Sequence, residues 1–192
     1  MTRLLMLLGL LSLAACTTVP PRQPETYDPK LNQAVLLSQN QWQAKGRVLV
    51  RQPSDSWKAT LAWAHNAGDD RLVISTALGG VLSIFESVGS QVTITDDQGR
   101  TRTGHKQVLL AELGLDVPLD STAFWVRGLA DPRLPATPIE VESGLVKAFR
   151  QQNWVIEYDR FDWVDGAWLP HKITLKSEGL LVRFVVDFWG IL

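Results

Sequence analysis

The chain has 192 residues, which is enough for one domain with a buried core and short for two. Hydrophobic residues make up 45% of it and charged residues 20%, a composition that is globular rather than disordered. The formal net charge of -1 provides no basic excess to neutralise a nucleic-acid backbone, so we expect no nucleic-acid partner.

Residues 1–15 have the pattern of a secretory signal peptide. Arg3 gives a positive start, and the apolar stretch over residues 4–13 is too short to cross a bilayer as a helix. The run Leu-Ala-Ala-Cys at residues 13–16 resembles a bacterial lipobox, in which cleavage precedes the cysteine and its thiol carries a diacylglycerol. We therefore predict lipid attachment at Cys16, the only cysteine; the alternative is ordinary cleavage that leaves Cys16 a free thiol.

Residues 16–29 are predicted to form a flexible tether between the lipid and a single domain over residues 30–192. Prolines recur among polar residues in this stretch, which favours an extended chain. Thr17 follows the cysteine at a position where Asp commonly signals retention in the inner membrane of bacteria. The sequence therefore favours the outer membrane.

The first half of the domain is predicted to be one helix followed by strands. Asp28 or Pro29 can start a helix that continues over residues 30–41. In residues 57–63 every second side chain is apolar, the pattern of a strand with one buried face. Further strands are predicted around Gly46-Arg47 and over residues 71–76, 81–86, 91–95 and 100–103.

The middle of the chain changes to helical spacing over residues 105–115 and again over 119–126. Pro132, Pro135 and Pro138 then predict an irregular crossing. The strand pattern returns over residues 145–151, 154–159, 168–176 and 180–189. In the last of these, residues 180, 182, 184, 186 and 188 are predicted to share one apolar face, and residues 181, 185 and 189 the other.

This order of elements predicts a mainly β fold. Consecutive strands with short turns favour antiparallel meanders over parallel crossovers. About ten or eleven strands in one domain curl into a barrel or half-barrel. The two short central helices are then predicted to cover its open side.

The sequence contains no pattern that indicates catalysis, a metal or a cofactor. The three histidines are scattered without metal-ligand spacing, and neither a nucleophile motif nor a phosphate-binding glycine loop is present. Asp69-Asp70 and Asp96-Asp97 adjoin turns, and adjacent strand residues point in opposite directions. We therefore predict that all four are solvated turn residues and that the protein is not an enzyme.

Short segments in a set order run through the mature chain, and their order and spacing after a lipobox are specific although each segment alone is weak. They are Trp42, Gly46-Arg47, Leu61-Ala62-Trp63, Ala77-Leu78-Gly79, Leu113-Gly114, Val117-Pro118, Trp125-Val126-Arg127-Gly128, Gln152-Asn153-Trp154, Tyr158, Leu169-Pro170 and Asp187-Phe188-Trp189. From about residue 40 to the end, this pattern resembles the outer-membrane lipoprotein receptor family LolB.

The resemblance implies an unclosed antiparallel β-barrel with a helical lid over an apolar cavity. It implies a monomeric, lipid-anchored protein that faces the periplasm and accepts lipoprotein cargo from a soluble, LolA-like periplasmic carrier. The cargo is then inserted among the phospholipids of the outer membrane, and no cofactor takes part. Leu78 matches an exposed loop residue that the family uses at the membrane, although Ala77 stands here where relatives often have proline.

The candidate lining of the acyl-chain cavity includes four of the eight tryptophans. For each Trp, packing in the core is the alternative to ligand contact. The full candidate set is Trp63, Trp125, Trp154, Trp189, Leu61, Ile74 and Ile84. Two other functions stay open at this point, a lipocalin-like carrier of small hydrophobic molecules and a structural envelope lipoprotein with a filled interior.

Overall fold

A computed structural model describes residues 26–112 and 116–191; the predicted signal peptide, Cys16, most of the tether and Leu113-Gly114 lie outside the described residues. Within them the fold has three helices and eleven strands. The helices are α1 (Pro29–Ser38), α2 (Lys106–Glu112) and α3 (Leu119–Trp125). The strands are β1 (Gln41–Arg51), β2 (Ser56–Asn66), β3 (Asp69–Ser75), β4 (Val81–Val88), β5 (Gln91–Asp96), β6 (Thr101–His105), β7 (Ala136–Glu142), β8 (Leu145–Gln151), β9 (Trp154–Val164), β10 (Ala167–Ser177) and β11 (Leu180–Ile191).

All eleven strands form one antiparallel sheet in the order β6-β5-β4-β3-β2-β1-β11-β10-β9-β8-β7. The first and last strands of the chain pair at its centre, and β6 and β7 are its two edges. Because these edges do not pair with each other in the described part of the chain, the barrel is unclosed. The predicted mainly β fold with an unclosed antiparallel sheet is confirmed.

One face of the sheet, called the inner face below, carries the core. In β2, Ala59, Leu61 and Trp63 are buried while the residues between them are more accessible, as the two-residue period predicts. β1 follows the same rule, since Trp42 and Val50 at its two ends are both 2% exposed or less. The local sequence pattern is sufficient to identify the buried face here because each of these strands has one buried face and one face that is more accessible to solvent.

The predicted faces of β11 are wrong at its end. Gly46 of β1 pairs with Val186, whereas the preceding residue of β1 pairs with Phe188. Asp187 is therefore an extra residue in the ladder, a β-bulge that reverses the alternation beyond it. As a result Trp189 is 8% exposed on the inner face and Phe188 is 50% exposed outside.

Two further boundaries differ from prediction. α1 ends at Ser38, because Gln41 already belongs to β1 and Trp42 is fully buried by the strand alternation. The irregular crossing predicted from the prolines contains a strand, β7, with Pro138 inside it. Every residue of β7 is exposed, and β7 lies at an edge of the sheet. Proline is tolerated in an edge strand because the N–H that it lacks is not needed for pairing on the open side.

The segment between the two edges crosses the open sheet and carries α2 and α3, which are called the lid below. α3 is buried in the main core, where Ala123 and Trp125 pack. α2 contacts β5 and β6, and its Leu109 and Leu110 join Phe85 in a second, smaller cluster. Leu119 at the start of α3 belongs to this second cluster too, so α3 packs in both clusters whereas α2 packs in the second cluster alone. Among residues 26–112 and 116–191, no helix combines the length and the hydropathy needed to cross a bilayer.

Candidate functional site

An apolar cavity of about 100 Å³ lies between the lid and the inner face of the sheet. Among the described residues that line it, Thr122 alone is neither aliphatic nor aromatic. The cavity adjoins both clusters of the core, because residues of the sheet and of the lid line it together. Sheet residues in the lining include Val48, Trp57 and Phe85, and lid residues include Leu110, Val117 and Leu119.

Three of the predicted lining residues, Leu61, Trp63 and Ile74, lie in the wall of this cavity. They come from the adjacent strands β2 and β3, and Leu61 pairs directly with Ile74. Ile84 on β4 lies on the other face of the sheet, because its neighbour Phe85 is the buried residue that points inward.

The other three predicted tryptophans are buried in the main core rather than in the cavity wall. Trp125 and Trp154 pack against each other with ring centroids 5.9 Å apart. Trp189 packs edge-on against Trp42, also at 5.9 Å, and its Nε1 donates to the carbonyl of Pro170 at 3.0 Å. Contact of any of these side chains with a ligand stays a prediction.

A buried polar network holds the end of α3 against the sheet. Trp125 Nε1 donates to Gln151 Oε1 at 2.7 Å, and the hydroxyl of Tyr158 donates to the Trp125 carbonyl at 2.7 Å. Gln151 Oε1 also accepts from the backbone N–H of Asp131, and its Nε2 donates to the carbonyls of Asp131 and Leu134, each at 2.9 Å. The Gln151 amide therefore joins β8 to both α3 and the loop that follows it.

The carboxylate of Asp131 strengthens this attachment. It accepts from the hydroxyl of Ser121 at 2.8 Å and from two nitrogens of Arg133 at 2.8 and 2.7 Å. Burial by itself raises the pKa of Asp131, but the hydrogen bonds from Arg133 and Ser121 outweigh burial and lower the pKa. The side chain therefore stays ionised at neutral pH.

Arg127 joins the lid to α1. Its Nη1 donates to the carbonyls of Leu36 and Gln39 at 2.7 and 3.0 Å, and its Nε donates to Ala123 at 3.1 Å. The guanidinium also lies over the ring of Trp42, 5.6 Å from the centroid. Burial lowers the pKa of Arg127 to about 10, so it remains a cation at neutral pH and satisfies carbonyls at the end of α1.

Asp70 is not the solvated turn residue that the sequence predicted. Its residue surface is 4% exposed, and its Oδ1 accepts from Trp63 Nε1 and contacts His65 Nδ1, both at 2.7 Å. The backbone N–H of Asp70 donates to the Ser87 hydroxyl at 3.1 Å. The indole N–H of Trp63 needs an acceptor once the ring is buried, and Asp70 provides it. Asp69, one residue earlier, is exposed as predicted.

The α2 side of the lid is held differently from the α3 side. Its side-chain polar contacts are Lys106 Nζ to Asp120 and Gln107 Nε2 to Asp116, and both aspartates are exposed. Lys106 itself is buried, and its backbone N–H donates to the Ser90 carbonyl at 3.0 Å. Its apolar contacts are mainly those of Leu109 and Leu110. Few buried contacts and solvent-accessible polar contacts favour local opening. We therefore expect the lid to open at α2 while α3 stays attached.

The turn between β3 and β4 carries Leu78, which is 99% exposed. Thr76 closes this turn, because its N–H donates to the carbonyl of Gly80 and its Oγ1 accepts from the N–H of Gly80. Gly79 has φ of +89°, a conformation that suits glycine, and its N–H donates to the Thr76 carbonyl. The turn therefore projects one leucine into solvent from a hydrogen-bonded base.

Two more exposed apolar residues, Val81 and Leu82, begin β4 just after this turn. They are 44% and 42% exposed. Turn residues are usually polar, and contiguous exposed apolar surface marks interaction sites with proteins or membranes. This end of the molecule therefore has an exposed apolar projection of the kind that contacts other proteins or membranes.

Comparison with known proteins gives matches over most of the chain. A relative from Nitrosococcus oceani, named outer-membrane lipoprotein LolB, is 27% identical over 97% of this chain and 96% of its own length. A relative of the same name from Pseudomonas aeruginosa is 32% identical over 77% of this chain and 73% of its own length. A solved structure of a DUF1329 family protein from Desulfovibrio piger shares the fold, with a TM-score of 0.54 at 7% identity over 85% of this chain and 91% of that one.

The family model described as outer membrane lipoprotein LolB matches residues 40–189. This match begins immediately before β1 and ends at Trp189, so it includes the whole sheet apart from the last residues of β11, the lid and the β3–β4 turn. The chain therefore belongs to the outer-membrane lipoprotein LolB family.

Proposed function

We propose that this protein is an outer-membrane lipoprotein receptor. It accepts lipoproteins from a soluble, LolA-like periplasmic carrier and inserts them into the membrane by binding their acyl chains, without catalysis. The observation that carries this proposal is the apolar cavity under a lid in an unclosed sheet. Lipid on Cys16 anchors the protein at the periplasmic face of the outer membrane, where it acts as a monomer.

The driving force for such a receptor is burial of hydrocarbon. Each methylene removed from water contributes about 0.8 kcal/mol, so a solvated acyl chain is costly and any apolar wall that covers it gains affinity. Transfer then needs no reaction, provided that the receptor binds the chain more tightly than the carrier does and the bilayer more tightly still. We propose that Trp63, Leu61 and Ile74, which line the cavity, cover the bound chain.

The cavity of about 100 Å³ is the closed state of the site. Pockets for small ligands are typically about 300–1,000 Å³, so the lid must move before an acyl chain fits. The α3 side is held by the buried Gln151 network, and the α2 side by Leu109, Leu110 and polar contacts to two exposed aspartates. We infer that cargo enters where α2 lifts from β5.

The lid hypothesis predicts that Leu110→Ala accelerates uptake of an acyl probe. Removing a buried leucine costs about 2–5 kcal/mol of stability. Because Leu110 is buried on α2, we expect its removal to destabilise the closed lid relative to the open one. We expect fluorescent fatty acid to enter at least about tenfold faster, measured by stopped-flow mixing. Leu169→Ala is the matched control, because Leu169 is equally buried on β10 and does not line the cavity. Uptake that is equally fast in both variants would contradict opening at α2.

The receptor function itself is tested at Leu78. We expect Leu78→Glu to bind cargo normally, because the side chain is 99% exposed and does not line the cavity, and to incorporate a model lipoprotein into liposomes at least about tenfold more slowly. A leucine entering the apolar layer gains free energy, whereas a carboxylate loses it.

Val88→Glu is the matched control for this variant, since Val88 is 71% exposed at the opposite end of β4. It introduces the same charge at another exposed apolar position, at the far end of the strand that follows the turn, and should transfer cargo at the normal rate. Normal transfer by Leu78→Glu would contradict the membrane role of the turn. Failure of the unaltered protein to take cargo from the carrier would contradict the receptor function.

A further inference from the structure

A groove of about 420 Å³ lies on the outer face of the sheet, next to the β3–β4 turn. Its lining includes three cationic side chains, Arg47, Lys58 and Arg183, and no acidic residue. Ala77, the residue before Leu78, forms part of the same lining. The exposed leucine is therefore joined to a basic surface by a single peptide bond.

The strand register places these cations around one apolar residue. Leu49 at the centre of the groove pairs with Lys58 on β2 and with Arg183 on β11. Two strand spacings separate the latter two backbones, about 10 Å. Arg47 lies two residues from Leu49 on the same face of β1. The three cationic groups therefore surround a space wide enough for a phosphodiester.

Two of the three charges are not neutralised by a carboxylate of the described residues. Neither Lys58 nor Arg183 makes an ion pair with any of the residues that the structure describes, and the Nε of Arg183 donates to the Thr174 hydroxyl at 3.3 Å. Arg47 differs, because it contacts both oxygens of Asp187 at 3.2 and 2.8 Å. Unneutralised cations side by side repel each other unless an anion lies between them.

We propose that this groove docks the phosphate groups of anionic phospholipids and so holds the β3–β4 turn at the membrane during release of cargo. The inference rests on the proposed function, since it concerns the same membrane contact as Leu78. Continuity with the turn favours a lipid surface over an acidic protein: when Leu78 enters the apolar layer, Ala77 and the adjoining cations lie at the level of the headgroups.

The test compares membranes with and without anionic lipid. The full-length anchored protein is reconstituted in vesicles of phosphatidylcholine alone, or with about one fifth phosphatidylglycerol, and the rate of lipoprotein incorporation is measured. We expect anionic lipid to accelerate incorporation by about fivefold per unpaired cation and the acceleration to fall with salt. In the double variant Lys58→Gln with Arg183→Gln, the rates in the two membranes should become nearly equal.

The matched control for the double variant is Arg71→Gln with Lys172→Gln. It removes the same net charge from the same face of the sheet, but these side chains are paired with Glu86 and Asp159 and lie outside the groove. The control should keep the full acceleration by phosphatidylglycerol.

Three outcomes would overturn the docking proposal while leaving the receptor intact. In the first, phosphatidylglycerol accelerates incorporation equally in the unaltered protein and the groove variant. In the second, the groove and control variants lose this acceleration to the same extent. In the third, millimolar glycerol phosphate at constant ionic strength suppresses the acceleration. The last would show a site for soluble phosphate instead of a lipid surface. If the unaltered protein transfers no cargo into either membrane, the proposed function fails instead.

Discussion

Replacing Gly46 by alanine is expected to destabilise the fold by more than about 3 kcal/mol, a large share of the 5–15 kcal/mol that holds a typical domain together. A Cβ at this position would lie 2.0 Å from the carbonyl oxygen of Val185 and 2.9 Å from the Val186 Cα. Both atoms are backbone of the neighbouring strand, so no side-chain rotation relieves the overlap. β1 and β11 would have to separate at the centre of the sheet.

The close approach at Gly46 belongs to the bulge in β11. The extra residue, Asp187, brings the backbone of β11 over Gly46 and projects its own carboxylate outward to Arg47. Beyond the bulge, Trp189 is turned to the inner face, where it packs on Trp42. Two of the segments that mark the family, Gly46-Arg47 and Asp187-Phe188-Trp189, are therefore the two sides of one structural feature.

The measurement is urea unfolding followed by Trp fluorescence. Gly104→Ala is the matched control: it makes the same change in β6, where the new Cβ meets only side-chain atoms of Leu109, the nearest at 3.3 Å. Its unfolding free energy should change by less than about 1 kcal/mol. If both variants unfold at the same urea concentration, the backbone contact at Gly46 is not what limits stability.

The alternation of β2 could be predicted from sequence because one face of that strand is buried and the other is more accessible to solvent. β7 could not, since all of its residues are exposed and no alternation exists to detect. The bulge could not either. It depends on the close approach of Gly46 to the backbone of Val185, in a region where Arg47 and its partner Asp187 are 140 residues apart in sequence. Local periodicity contains no information about such a contact.

The candidate site divides in the same way. Leu61 and Trp63 line the cavity because they lie on the inner face of a clearly alternating strand. β4 has apolar residues at both odd and even positions, so its sequence pattern does not determine whether Ile84 or Phe85 points inward. Asp70 was predicted to be solvated because acidic residues beside turns usually are; its burial follows from the indole of Trp63, a partner that only the folded pairing of β2 and β3 brings near.

Replacing Gln151 by leucine is expected to cost at least about 3 kcal/mol and to loosen the α3 side of the lid. The side chain is 0% exposed and makes four hydrogen bonds, with Trp125, with both backbone groups of Asp131 and with Leu134. Leucine fills nearly the same volume but leaves one indole N–H, one amide N–H and the Leu134 carbonyl without partners, while the Asp131 carbonyl keeps only its bond from the N–H of Leu134. A buried polar group without a partner costs about 1–3 kcal/mol.

Urea unfolding gives the loss of stability, and hydrogen exchange of the backbone amides of α3 shows where it falls. Gln91→Leu, the same change at an exposed position of β5, should alter the unfolding free energy by less than about 0.5 kcal/mol. We expect the amides of α3 to exchange faster in Gln151→Leu while those of β1 and β2 keep more of their protection. Unchanged exchange in α3 would mean that apolar packing of Trp125 and Tyr158 alone attaches the lid, and that the polar network is not its hinge.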